Sequence, residues 1–181
     1  ALGLGKRVFK LSQALGPFRQ RLNRRFAAFI LSRCEVVIAR GHISYDHCRA
    51  LGLKNAHQLP DVSFGLEITE VHEAEVDRIL AEAGVANTPI IYSPSEVLRR
   101  EMKTASMDFE AASVNMLQGL ADLGHQIVVL PHSVSDDRTK NNDLPVSERL
   151  KDMLGDQVTL ITGVTDPAVM RALLGRAVVH V

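Results

Sequence analysis

At 181 residues the chain is long enough for one or two domains with a substantial core. Hydrophobic residues at 46% and charged residues at 23% match an ordinary globular protein and exclude a disordered or low-complexity chain. The zero net charge hides an asymmetry: residues 1–60 carry eleven Lys/Arg against two acids, and residues 61–181 carry ten against nineteen, giving +9 and −9. Halves of opposite sign suggest two domains, or one domain split by truncation, and the basic half would attract an anionic ligand, a nucleic acid or a membrane surface. No apolar run approaches the ~20 residues that cross a bilayer, and no secretory leader pattern is visible. Two cysteines, Cys34 and Cys48, suggest neither a disulfide framework nor a four-ligand zinc site, which fits a reducing, cytoplasmic setting.

In chain order, residues 7–11 read as a strand and residues 12–17 as the loop after it. Pro17 has the fixed φ that suits the first turn of a helix. Phe18, Leu22, Phe26, Phe29 and Ile30 recur at helical spacing through Arg33, with Arg19, Arg21, Arg24 and Arg25 on the rest of the surface. That basic face is either solvated or turned to an anionic membrane. With little aromatic interleaving on the basic face, and neither a helix-turn-helix nor an RNA-binding signature, nucleic acid is not an expected partner. Val36-Val37-Ile38 is a short β-branched run suited to a strand buried on both faces, ending at Arg40-Gly41-His42. Ser44 is a plausible N-cap for a helix over 45–51, closed by Gly52, and a further strand leads to Pro60-Asp61. Ligands of open α/β sheets bind at the carboxyl ends of strands, which is where Arg40 and Asp61 fall.

After an irregular stretch, residues 70–83 form an acidic helix with Val71, Ala74, Val76 and Ile79 as its apolar positions. Residues 90–93 read as a strand, followed by a Pro94-Ser95 loop and an irregular polar stretch through 106. A helix over 109–123 precedes the clearest buried strand, 125–130, at whose end stands Pro131-His132-Ser133. A polar loop follows, then a helix over 145–154, a strand over 158–162, a helix over 167–174 and a strand over 178–181. Strands alternating with helices imply parallel sheets with right-handed crossovers. Because the alternation restarts after a break, the expected fold is α/β with two Rossmann-like units. Residues 1–64 would be the C-terminal part of a first domain, 65–88 a linker with the acidic helix, and 89–181 the N-terminal part of a second. Both ends look truncated, as if the chain were a fragment.

No GxGxxG, GxxxxGK[ST], GxSxG or HExxH pattern occurs. His42 and His47 are five apart and miss the i,i+4 spacing of helical metal ligands. Asp136, Asp137 and Asp143 could bind a hard cation or simply line a hydrophilic loop. His132, just past a buried strand, is placed for a general acid, an anion contact or a structural role.

The order Gln13-Ala14-Leu15-Gly16-Pro17-Phe18, a basic helix, the strand ending in Arg40, then Ser44-Tyr45, Leu51-Gly52 and Pro60-Asp61 resembles the polysaccharide pyruvyl transferase family. Its pattern is G-P-F, an apolar strand ending in R-[DE]-x-x-S, then L-G, then P-D. Residues 128–133 with Asp136-Asp137-Arg138, and the Asp166-Pro167 helix with residues 178–181, extend the likeness over most of the chain. The resemblance implies a GT-B-like fold and transfer of a pyruvyl group from phosphoenolpyruvate to sugar hydroxyls as a ketal, in cell-surface or exopolysaccharide biosynthesis. It implies no cofactor beyond that donor, no metal, and a saccharide acceptor, free or lipid-linked, met at the inner face of the membrane. Carried onto these positions, Arg40 and His132 are the catalytic candidates, and Gln13, Gly16, Pro17, Ser44, Asp61 and Ser95 the substrate-binding ones. Two departures stand out. Gly41 replaces the family's Asp or Glu, and the R-[FL]-H motif associated with the phosphoenolpyruvate site would follow Val181. A GT-B nucleotide-sugar glycosyltransferase and a non-catalytic homologue stay open as alternatives.

Overall fold

The computed structural model describes residues 5–85, 88–135 and 141–181. The chain divides into two compact units, Ala1–Leu66 and Glu67–Val181.

In the first unit, β1 (Phe9–Gln13), β2 (Val36–Arg40) and β3 (Ala56–Leu59) form a parallel sheet in the order β1-β2-β3. The strands are linked by α1 (Arg21–Leu31) and α2 (Gly41–Ala50). Along β2, Val37 and Ala39 are fully buried while Val36 and Ile38 are half-buried, the period of two of a pleated strand. Leu31, Cys34, Cys48, Leu53 and Ala56 complete this core, with Phe18 packed against its edge.

Three expectations for this unit need correction. The helix after Pro17 starts only at Arg21, because Pro17 to Gln20 first run as loop and bring Phe18 onto the core. The second helix begins at Gly41, not 45. Gly41 holds φ +77, a left-handed turn that only a side-chain-free residue makes easily, so the chain passes from strand to helix without a side-chain cap. Third, the apolar positions of α1 mostly miss the core. Leu22 is 65% exposed, Phe26 57% and Phe29 56%, while Leu31 alone on this helix is buried.

The second unit begins with α3 (Glu70–Glu82), the acidic helix expected within a linker. Its Val76 is fully buried and packs with Val169, Ala172 and Leu173 of α7 (Pro167–Gly175). Arg176 pairs with Glu73 and Asp77 across the same contact. Four strands follow: β4 (Ile90–Tyr92), β5 (Ile127–Val129), β6 (Thr159–Leu160) and β7 (Val179–His180), all parallel, in the order β6-β5-β4-β7. The segment from 96 to 106, read as irregular, contains α4 (Glu96–Thr104). Its Glu96–Arg99 and Glu96–Arg100 pairs at helical spacing explain why so polar a stretch is helical. It is followed by α5 (Phe109–Asp122), and α6 (Leu144–Leu154) connects β5 to β6.

Side chains alternate across the sheet. Ile91 and Val128 point to the face covered by α3 and α7, whereas Tyr92, Ile127 and Val129 meet Leu117, Val146 and Leu150 from α5 and α6. Covered on both faces, β4 and β5 are apolar throughout, each such side chain contributing about 1.5–3 kcal/mol when fully buried. Numbered within this unit the strand order is 3-2-1-4, so the direction of winding reverses between β4 and β7. A crevice for ligands opens at the carboxyl ends of strands at such a reversal. No helix among the described residues is long and apolar enough to cross a membrane.

Candidate active site

The second unit places three polar side chains at that reversal. Ser93 follows the buried Ile90-Ile91-Tyr92 strand, and its N–H donates to the Val181 carbonyl at 2.8 Å, tying it to the end of β7. His180 pairs in register with Ile91, one residue below. His132 enters from β5, two residues past Leu130, whose N–H donates to the Tyr92 carbonyl at 2.9 Å. The Ser93 hydroxyl then lies 3.0 Å from His132 Nε2 and 2.9 Å from His180 Nε2. The two imidazoles stack with centroids 5.6 Å apart and planes 24° from parallel. Burial and the neighbouring His180 push the His132 pKa below its ordinary value, against a smaller upward pull from Asp143. His132 is therefore a neutral imidazole near pH 7, able to accept a proton or pass one on.

The loop carrying His132 is pinned by Asp143, which is only 7% exposed. One carboxylate oxygen accepts the Ser133 N–H and the other the Glu96 N–H at the start of α4, both at 2.9 Å. The Asp143 N–H in turn donates to the Ser133 carbonyl. Ser95 accepts the Leu98 N–H and is the N-cap of α4, while Ser93, two residues earlier, is the one that meets His132. Of the acidic group considered for a cation, Asp136 and Asp137 lie outside the described residues, and both oxygens of Asp143 are committed to backbone N–H groups. Among the described residues no cluster of His, Cys, Asp and Glu is arranged to hold a metal ion.

The first unit gathers its candidates at the carboxyl edge of its own sheet. Arg40 Nη1 donates to Asp61 Oδ2 at 2.6 Å, and Asp61 Oδ1 accepts the Ser63 N–H. The Arg40 hydrogen bond, and secondarily the Ser63 N–H, lower the Asp61 pKa to about 2. Ser12, at φ 48, donates from its hydroxyl to the Pro60 carbonyl and accepts the Val62 N–H, so β1 and β3 are linked past the end of β2. Ser44, expected as a cap, is buried inside α2 and accepts the Leu15 N–H at 3.0 Å. That bond fixes the loop in which Gly16 stands at φ +88, where an added Cβ would come within 2.4 Å of the His47 ring. Gln13, the exposed last residue of β1, pairs in register with Ala39. Pro17 and His47 line a small cavity of about 240 Å³ with Phe18, Arg19, Arg24 and Leu51.

Ser12, Ser93 and His180 were not singled out from the sequence. His180 sits inside an apolar run, Val178-Val179-His180-Val181, and an imidazole there is the signal that could have marked it. The family model described as polysaccharide pyruvyl transferase matches residues 1–181. No curated protein matches the chain.

Proposed function

The chain belongs to the polysaccharide pyruvyl transferase family, and from that premise we propose that it moves a pyruvyl group from phosphoenolpyruvate onto two hydroxyls of a saccharide, as a ketal. The observation that carries this reading is the pair of imidazoles flanking Ser93 at the sheet reversal of the second unit. Ketal formation needs a proton at C3 of the enol phosphate as a sugar oxygen bonds to C2. The C2–O bond to phosphate then breaks as the second sugar oxygen closes the ring. One proton moves from the first hydroxyl to C3, and the second hydroxyl's proton leaves with phosphate. A neutral imidazole such as His132 suits the base half of that exchange, and an imidazole N–H the acid half.

Phosphoenolpyruvate is a dianion or trianion, so its phosphate and carboxylate need guanidinium or backbone N–H donors. Arg40 supplies a guanidinium that already binds a carboxylate, that of Asp61. A GT-B-like fold is part of this reading, each α/β unit contributing its own sheet edge. Gln13, Gly16, Pro17, Ser44, Asp61 and Ser95 would then shape the substrate side, Ser44 and Ser95 through the loop and helix they fix. The solvent-facing Phe26 and Phe29 of α1, set among Arg21, Arg25 and Arg33, support contact with an anionic membrane. The acceptor would there be a lipid-linked saccharide, at the cytoplasmic face where phosphoenolpyruvate is made.

The test is incubation of the protein with phosphoenolpyruvate and candidate pyranoside diols, reading released phosphate together with the carboxyethylidene mass on the sugar. Both signals appearing together, and both falling in His132→Gln and His180→Gln, is the expected result. Sugar transfer from a nucleotide sugar with no consumption of phosphoenolpyruvate would overturn it.

A further inference from the structure

We propose that Ser93 is the centre of a proton relay, its single hydroxyl hydrogen holding His132 and His180 in opposite tautomers. Both Nε2 atoms lie within hydrogen-bond distance of one oxygen, at 3.0 and 2.9 Å. A hydroxyl has one hydrogen to give and lone pairs to receive with. If it donates to one Nε2, that nitrogen is unprotonated and the ring carries its proton on Nδ1. The other Nε2 must then donate, which leaves that ring's Nδ1 with a free lone pair. The constraint makes two chemically similar imidazoles unlike at their Nδ1 atoms: one is a base and the other an N–H acid.

The inference rests on the proposed ketal chemistry for its use, and it deepens it. A proton taken from a sugar hydroxyl at the basic Nδ1 releases the Nε2 proton of that ring to Ser93 Oγ. Ser93 passes its own hydrogen to the second Nε2, and that ring gives its Nδ1 proton to C3 of the enol phosphate. Each of the three side chains gains one proton and loses one, and the two rings end with their tautomers exchanged. No net charge stays on the pair. That matters because rings stacked 5.6 Å apart repel when both are cationic, and because burial already disfavours charge on His132. Among the described residues, Asp143 and His180 are the charged or titratable groups that act on His132, and Asp143 draws its proton affinity upward. Ser93 is held for this role by its own N–H bond to the Val181 carbonyl, so the oxygen stays between the rings.

Histidine ¹⁵N NMR on the whole chain reads the tautomers directly, without substrate, with signals assigned by His132→Gln and His180→Gln. In the unaltered protein above pH 8, one of the two should be the Nδ1–H form and the other the Nε2–H form. Ser93→Ala should collapse both toward the common Nε2–H form, and Ser93→Thr, which keeps the hydroxyl, should restore the opposition. In turnover, Ser93→Ala should lower kcat about 10- to 100-fold with little change in KM for phosphoenolpyruvate, since both rings and any anion contacts remain. Identical tautomers in the unaltered protein, or opposite tautomers that survive Ser93→Ala, would overturn the relay whatever the activity. A chain with opposite tautomers that Ser93→Ala abolishes, yet no pyruvyl transfer, would uphold the relay and overturn only the assigned reaction.

Discussion

Gly16 offers a sharp test of how the first unit is built. It holds φ +88, and a Cβ there would sit 2.4 Å from His47 Cδ2 and 2.6 Å from Cγ. Gly52, at φ +78 with nothing within 4 Å of its would-be Cβ, is the matched control. In Gly52→Ala only the left-handed backbone is strained, at about 1–2 kcal/mol. Gly16→Ala adds the overlap with the imidazole, a further ~1–3 kcal/mol if it behaves as overpacking elsewhere does. With a urea dependence of about 2 kcal/mol per molar, the control should lose about 0.5–1 M in midpoint and Gly16→Ala about 1–2.5 M. The chain has no Trp and only two tyrosines, Tyr45 in the first unit and Tyr92 in the second. In a common Tyr92→Phe background, tyrosine fluorescence therefore reports the first unit alone. His47→Ala removes the two nearest atoms, so the double variant should return most of the way to the control. Equal losses for Gly16→Ala and Gly52→Ala, or no recovery in the double, would refute the steric account. Activity that stays lost after stability is recovered would assign Gly16 to a ligand's approach instead.

Arg40→Ala should weaken use of phosphoenolpyruvate by about one to two orders of magnitude, the equivalent of one charge-assisted hydrogen bond, and Arg40→Lys should recover part of it. Normal kinetics with a lower melting temperature would make Arg40 a strand-end tie to Asp61. Asp61 itself titrates near 2, below the usual 3.8, so folding favours its carboxylate. The stability it contributes is present above about pH 4 and is lost as pH falls through about 2. The gap in melting temperature between the unaltered protein and Asp61→Asn should accordingly close over that range, and a pH-independent gap would contradict it. For α1, binding to vesicles containing anionic lipid should fall with added salt and in Arg25→Glu, and fall further in Phe26→Ser. Equal partitioning onto neutral and anionic vesicles would leave the helix face merely solvated.

Parallel α/β construction was legible because β4 and β5 are short apolar runs bounded by turn residues, as strands covered on both faces must be; β2, read as the same kind of strand, has one face only half-buried. The chain forms two sheets, and α3, read from the sequence with the linker, belongs to the second unit. What the sequence hid is of two kinds. Local rules misplaced helix starts where a glycine or a loop competed: Ser44 looks like a cap, but the positive φ at Gly41 starts α2 earlier, and Ser44 serves Leu15 instead. The site itself was hidden by strand order. His132, Ser93 and His180 are 39 and 87 residues apart along the chain in their two hydrogen bonds, and only the 3-2-1-4 arrangement brings β7 beside β4. His132 was visible alone, as a polar residue ending a buried strand. Its partners required the topology.

The same strand order bears on the choice between donors. In nucleotide-binding folds of this winding, the turn after the first strand presents a helix N-terminus to a pyrophosphate, whose charge meets unsatisfied N–H groups. Here that helix is α4, and its first turn is already served from within the protein. Asp143 takes the Glu96 N–H, and Ser95 the Leu98 N–H. A pyrophosphate entering there would strip a buried carboxylate of a backbone donor and set like charges side by side, a loss of several kcal/mol before any contact is gained. The turn also lacks the glycines that would let a phosphate approach the backbone, since its residues are Ser93-Pro94-Ser95. An anionic donor would therefore be held by side chains elsewhere rather than by this helix end. That requirement weighs against a nucleotide sugar held in the usual way. It is compatible with the proposed donor, a small, compact anion that a few guanidinium groups could hold beside the two imidazoles.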